Sequence, residues 1–193
     1  MRSGAGLVVA LVVAATAVAC VAQDRSYVRA RPSETSGAWR VEHRVDRITA
    51  RPAPIASVVA MVTNSKNAAI RPATLELTCF ESRPIVRLAY DLRVGADRSS
   101  TLAYRVDDRP GGEIEATFLP DQRTVVIDEP TAVTRFVADL SAGTLLLLRA
   151  ASLFAGNTVA EFRIAGAATA IAPVLEACPL PAATAAGRSA AAR

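Results

Sequence analysis

Short segments in which apolar and polar residues alternate recur through most of this chain, and they restrict its fold to mainly antiparallel β-structure. In the first of them, residues 39–45, every second residue is apolar or aromatic, the period expected of a strand with one buried face. Turn-forming Gly, Pro, Asn or Asp separates most of the others. These strand-like segments are residues 57–62, 75–80, 85–94, 101–106, 114–119, 125–128, 144–150 and 158–164.

Two segments have a helical period instead. Apolar residues at i, i+3, i+4 and i+7 predict one helix that begins near Pro130 and ends near Gly143. A second helix is predicted over residues 167–177, where Pro173 removes one backbone hydrogen bond and is expected to bend the helix. The residues that define the first period are Val133, Phe136, Val137 and Leu140.

The pattern predicts one mainly β (α+β) domain over residues 39–178. We expect an antiparallel β-sandwich-like body with the two helices of the C-terminal half packed on it. Residues 23–38 are polar and without periodicity, and they are predicted to be a flexible linker. Residues 179–193 are low-complexity Pro/Ala/Gly sequence and are predicted to be a disordered tail.

The first 22 residues are predicted to be a signal peptide. Arg2 precedes an uncharged run of 13 residues, 7–19, which is shorter than the roughly 20 residues that span a bilayer. Cleavage after Ala22 would release a soluble protein into the periplasm. Residues 16–20 also form a permissive lipobox, in which case the signal would end before Cys20 and Cys20 would carry lipid. Both alternatives place the protein in the cell envelope.

The cysteine count favours a structural disulfide. Under either processing alternative, Cys79 and Cys178 are the only pair in the mature domain, and exported proteins usually join such a pair. The sequence has no CxxC motif and no histidine beside either cysteine, so a redox or thiol-nucleophile role is disfavoured.

Charge and composition exclude several functions. The basic residues number 22, and all but Lys66 are arginines that are interleaved with 18 acids, which is not the footprint of a nucleic-acid binder. One histidine, His43, cannot supply a zinc site or a catalytic relay, and no cofactor motif is present. Arg83, Arg87 and Arg93 alternate with apolar residues; they would contact an acidic partner or anionic lipid, or form a solvated face.

Carboxylates near one turn are the candidate catalytic residues. Glu113 and Glu115 lie at i and i+2 on one strand face, and Asp107 and Asp108 lie across the predicted turn. Two acids with different pKa values can divide the acid and base roles of glycoside hydrolysis. The alternative is that these acids are solvated, with Asp107 capping its turn.

Four landmarks occur along the chain: Trp39 followed by VDRITARP (45–52), RPATLELTC (71–79), YRVDD (104–108), and the segment from FRIAG to LEAC (162–178). Together they resemble the VasI-type family of exported proteins associated with type VI secretion. They occur in the expected order through the folded region. Three residues depart from the family pattern: Ala50, Thr78 and the residue after the Asp107–Asp108 turn, which is not Trp.

The resemblance implies an envelope protein that is accessory to secretion, and it transfers no catalytic residue. We therefore expect a non-catalytic module that binds another envelope protein, needs no cofactor and meets the membrane only through a lipid on Cys20. The alternatives are an envelope hydrolase that uses the acids of residues 107–115, and a soluble periplasmic ligand-binding or inhibitor domain.

Overall fold

The computed structural model of this protein describes residues 28–66, 70–95, 99–152 and 156–181. The predicted signal peptide, with Cys20, and residues 182–193 of the predicted tail lie outside the described residues. The elements are β1 (Val28–Ser36), β2 (Trp39–Asp46), β3 (Ile55–Asn64), β4 (Arg71–Phe80), β5 (Arg83–Tyr90), β6 (Ser99–Val106), β7 (Gly112–Phe118), β8 (Thr124–Ile127), α1 (Pro130–Ser141), β9 (Leu145–Ser152), β10 (Gly156–Arg163) and α2 (Ala167–Ala177).

Eight of the strands close into an antiparallel barrel in the order β3-β10-β9-β6-β7-β8-β5-β4, with β4 paired back to β3. The β10–β3 pairing, from Thr158↔Asn64 to Ala160↔Val62, joins segments from opposite ends of the domain. β1 and β2 are two further strands that extend from β3. The predicted β-sandwich is therefore wrong. Alternating apolar residues give a strand one buried face, and such a strand fits a closed barrel as well as two stacked sheets, so the alternation does not distinguish the two folds.

Apolar side chains fill the barrel. In β7, for example, Ile114, Ala116 and Phe118 are buried and alternate with exposed or half-buried residues. An eight-stranded barrel has an interior just wide enough for its own side chains. The inward side chains form one core with the buried faces of both helices. The largest fully buried side chains are Trp39, Leu75, Leu77, Leu88, Leu102, Ile127, Phe136, Leu140, Leu146, Leu148, Phe162 and Ile164.

The two helices lie at the same end of the barrel, because α1 follows β8, α2 follows β10, and these two strands run in the same direction. The carboxylate of Glu129 begins α1 by accepting hydrogen bonds from the backbone N–H groups of Thr131 and Ala132, at 2.9 and 2.6 Å. Phe136 of α1 makes a T-shaped contact with the ring of Tyr104, with 5.1 Å between ring centroids. This contact joins α1 to the barrel wall.

A disulfide joins Cys79, near the end of β4, to Cys178, which caps the C-terminus of α2. Their Cα atoms are 5.9 Å apart, a usual separation for a bridged pair. The pairing that the cysteine count predicts is therefore present. It attaches α2 to the barrel at the end of the helix, while the buried residues Ala170, Ile171 and Val174 hold its middle.

The β1–β2 hairpin contacts the start of α2. The predicted linker, residues 23–38, is wrong for Val28–Ser36, because these residues form β1 and pair with β2. At the hairpin end, the indole Nε1 of Trp39 donates a hydrogen bond to the carbonyl oxygen of Ile164 at 3.1 Å. Ser36 Oγ donates to the carbonyl oxygen of Gly166, also at 3.1 Å.

We expect Gly37→Ala to destabilise this hairpin contact by about 1–3 kcal/mol. Gly37 has φ +60°, and a Cβ there would collide with the carbonyl oxygen of Ala165. Chemical denaturation of both proteins measures the loss. Gly111→Ala is the matched control, because a Cβ at Gly111 meets only one backbone oxygen, at ordinary contact distance. Equal stability of the two variants would contradict the role of Gly37.

Candidate functional site

Asp107 ties the β6–β7 turn to the segment between α1 and β9. Its carboxylate accepts hydrogen bonds from Thr144 Oγ1 at 2.7 Å, from the backbone N–H of Thr144 at 3.1 Å and from that of Leu145 at 2.9 Å. The side-chain hydrogen bond from Thr144 and the backbone one from Leu145 hold the pKa of Asp107 below its ordinary value. A carboxylate that is so engaged is a structural cap and a poor proton donor at neutral pH.

We expect Asp107→Asn to lower the free energy of unfolding at pH 7, and the deficit to shrink in acid. Because the pKa of Asp107 is lowered in the folded protein, the stabilisation is complete above the ordinary value of 3.8 and is lost as the pH falls through the folded-state pKa. Asn tolerates the φ of +50° at this position. Urea titrations at several pH values between 2.5 and 7 measure the difference; a constant deficit would contradict the expectation.

The other three candidate acids are exposed and do not join Asp107 in one cavity. Asp108 lies in the turn, and Glu113 and Glu115 lie on the outer face of β7, two residues apart as predicted. The backbone oxygen of Glu113 accepts a hydrogen bond from Arg135 of α1 at 2.8 Å. The structure thus provides no enclosed pair of carboxylates among the candidates, as general acid–base hydrolysis would require.

The single histidine lies on the β1–β2 hairpin. His43 is half-buried, and its Nε2 is 3.4 Å from Oε1 of Glu34 on β1. It also lines an open groove of about 380 Å³ with Pro173 and Glu176 of α2. In the described part of the chain, no three side chains of His, Cys, Asp or Glu come together to hold a metal ion.

The predicted arginine surface is not one open patch. Arg87 lies 3.2 Å from Glu76 of the neighbouring strand, and Arg83 lies 3.9 Å from Glu81. Arg93 is exposed in the segment after β5. Two of the three arginines are therefore already paired within the protein.

An exposed apolar surface lies instead on the outside of the barrel, where polar residues would be expected. Its side chains are exposed at Val59 (60%) and Met61 (56%) of β3, Val159 (37%) of β10, and Ile70 (62%) just before β4. Val59 and Met61 are successive outward residues of β3. Val159 pairs with Thr63 and is therefore a diagonal neighbour of Met61, and Ile70 is near Met61 on the other side, because Met61 pairs with Pro72 of β4. We call these four residues the apolar face.

A groove of about 460 Å³ adjoins the apolar face across β6, β9 and β10. Leu147, Val159 and Ala103 are its apolar lining, and its charged lining is Arg105, Arg149 and Glu113. We call it the arginine groove. Neither feature was predicted from the sequence. The two arginines are far apart in the chain, and only the strand register brings them together.

Comparison with family models, with curated proteins and with solved structures finds no match for this chain. Neither α1 nor α2, the helices of the described residues, has the length and apolar character needed to cross a membrane.

Proposed function

We propose that this protein is a non-catalytic, exported module that binds another protein of the cell envelope through the apolar face. The apolar face is the observation that carries the proposal. A soluble domain seldom exposes several neighbouring apolar side chains on the outside of a closed barrel, and such patches mark interaction sites. Since side chains fill the barrel interior, the outer surface is the place for a partner to bind.

The partner is expected to bind to the face of the sheet and not to its edge. Among the described strands β1 is the outermost, and the edge that pairs with no other described strand is a poor template for strand addition. Pro32 within β1 lacks a backbone N–H, and the register of β1 shifts between Ala30 and Ser33. Natural proteins use such prolines and bulges to keep other strands from pairing with an edge.

The envelope location rests on the sequence and on the bridge. The predicted signal peptide would export the chain, and a disulfide such as Cys79–Cys178 persists in oxidising compartments. The resemblance to VasI-type proteins supports the finer proposal that the partner belongs to a type VI secretion apparatus. The separation of Asp107 from the exposed acids of β7 does not favour the hydrolase alternative.

A photo-crosslinking amino acid at Met61, placed in the full chain in its native cells, tests the proposal. We expect a discrete adduct with one envelope protein, because Met61 is at the centre of the apolar face. The same amino acid at Thr117, an exposed position on the outer face of β7, is the matched control. Absence of an adduct at Met61, or equal adducts at both positions, would contradict the proposal.

Palmitate labelling is expected to show whether the mature protein carries a lipid on Cys20. If Cys20 carries lipid, labelled palmitate enters the protein, the Cys20→Ala variant loses the label, and globomycin blocks maturation. If the signal peptide is removed after Ala22, the mature protein begins at Gln23 and takes up no label. The N-terminal sequence of the purified protein separates the two results.

A further inference from the structure

We propose that Arg105 and Arg149 bind two carboxylates of an extended acidic segment in the partner protein, two residues apart in that segment. This inference rests on the proposed function, because it names the chemistry of the partner that the apolar face would bind. Four observations support it: the state of the arginines, their spacing, the groove beside them and the charge of the surface.

The arginines of this surface lack partners within the described residues. Most other arginines with described side chains make ion pairs or hydrogen bonds, for example Arg87 with Glu76 and Arg109 with the carbonyl oxygen of Ala142. Arg105, Arg149 and Arg163 make neither among the described residues, and they lie on the same outer face, on β6, β9 and β10. Their guanidinium donors are therefore open to an external acceptor.

The register sets the distance between the two arginines. Arg105 pairs with Leu147, and Arg149 pairs with Ala103, so the arginines are diagonal neighbours on adjacent antiparallel strands. Diagonal positions are about 7–8 Å apart. Side chains at i and i+2 of an extended chain are separated by about 7 Å on one side of it. Two carboxylates at that spacing can each pair with one guanidinium group. Their negative charge would also offset the repulsion between Arg105 and Arg149.

The groove provides a place for the segment to lie. It is a shallow, open depression of about 460 Å³ on the outer face of the sheet, along which an extended segment can lie. Gly111 and Gly112 border one side, where the lack of side chains leaves the groove open. At the other side, Val159 belongs both to the groove and to the apolar face. A segment held by the arginines would therefore continue onto the apolar face with its apolar side chains.

The charge pattern disfavours two other occupants. The arginine groove holds two arginines against one acid, Glu113, so its net charge is positive and two copies placed groove to groove would repel. An anionic bilayer would be attracted to the arginines but repelled by Glu161, which lies at the centre of the face opposite Leu147. An acidic peptide segment can place its carboxylates at the arginines alone.

Fluorescence anisotropy with a defined probe tests the inference. The probe is a labelled 12-residue synthetic peptide in which Glu alternates with Val and Thr, and the control peptide has Gln for Glu. The full chain is used with its disulfide intact. We expect binding of the Glu peptide, and a loss of about fivefold in affinity for Arg105→Gln and for Arg149→Gln, the upper range for an exposed ion pair. Arg93→Gln, with the same charge change elsewhere, is expected to bind as the wild type does.

Each other result overturns the inference. Absence of binding, equal binding of the Gln peptide, or equal affinity of all variants would do so. Arginine-dependent sedimentation with phosphatidylglycerol vesicles, without peptide binding, would identify a lipid surface instead. Concentration-dependent dimerisation that Arg149→Gln strengthens would identify a second copy.

The inference and the proposed function fail separately. An adduct at Met61 without arginine-dependent peptide binding would leave the proposed function standing and reject the acidic segment. Arginine-dependent binding without an adduct at Met61 would reject the apolar face as the docking surface and retain the anion site.

Discussion

Loss of the Cys79–Cys178 bridge is expected to lower the free energy of unfolding by about 4–5 kcal/mol in the chain-entropy model. The two cysteines are 99 residues apart, so the bridge restricts most of the unfolded domain. Denaturant titration of the Cys79→Ala/Cys178→Ala variant against wild type measures the loss. Hydrogen exchange is expected to increase most in α2, because the bridge holds its C-terminal end.

The wild type in the presence of a reductant is the control for this variant. Reduction is expected to bring the wild type to the stability of the double variant, and the double variant is expected not to respond to the reductant. A wild type whose stability is unchanged by complete reduction would contradict a structural role for the bridge.

Phe136→Ala is expected to lower the free energy of unfolding by about 3–5 kcal/mol. Phe136 is fully buried in α1, and its ring makes a T-shaped contact with the ring of Tyr104 in the barrel wall. The substitution leaves a cavity between helix and barrel, and it also removes the support of the Tyr104 ring, whose hydroxyl donates to Asp139 at 2.8 Å. Thermal and denaturant unfolding measure the change.

Phe80→Ala provides the matched control, because the same atoms are removed from a side chain that is 56% exposed. Its effect is expected to stay within about 0.5 kcal/mol, as for most surface substitutions. Similar losses for the two phenylalanines would show that α1 is not packed on the barrel as described.

Local patterns were enough to predict the helices and the bridge. The predicted second helix, residues 167–177, has the bounds of α2, and the period of Val133 to Leu140 marks the buried face of α1. Both predictions use contacts within one or two helical turns. The bridge follows from there being two cysteines in the domain.

The closure of the barrel could not be predicted in this way. It depends on the β10–β3 pairing, which joins residues 94 apart or more in the chain, for example Thr158 with Asn64. Nothing in the alternation of β3 or β10 specifies that partner. The polar segment Val28–Ser36 likewise has no strand period of its own, and it becomes a strand because β2 offers it a hydrogen-bonding edge.

One signal for the candidate site was present in the sequence. Residues 58–62 are an unbroken apolar run, VVAMV, whereas a strand with one solvated face should alternate. The structure buries Val58, Ala60 and Val62 and leaves Val59 and Met61 exposed. The arginine groove gave no such signal, because its members come from separate strands and meet only through their register.

The early start of β1 limits how far the domain could reach from a membrane. If the linker extended to residue 38, 18 residues would separate a lipid on Cys20 from the folded domain, and they would span about 60 Å when fully extended. Because β1 already begins at Val28, only residues 21–27 remain between the lipid and the fold, and they span at most about 25 Å. The folded domain of a lipidated form would therefore stay within about 25 Å of the bilayer surface. Its partner would have to present the bound segment at that distance.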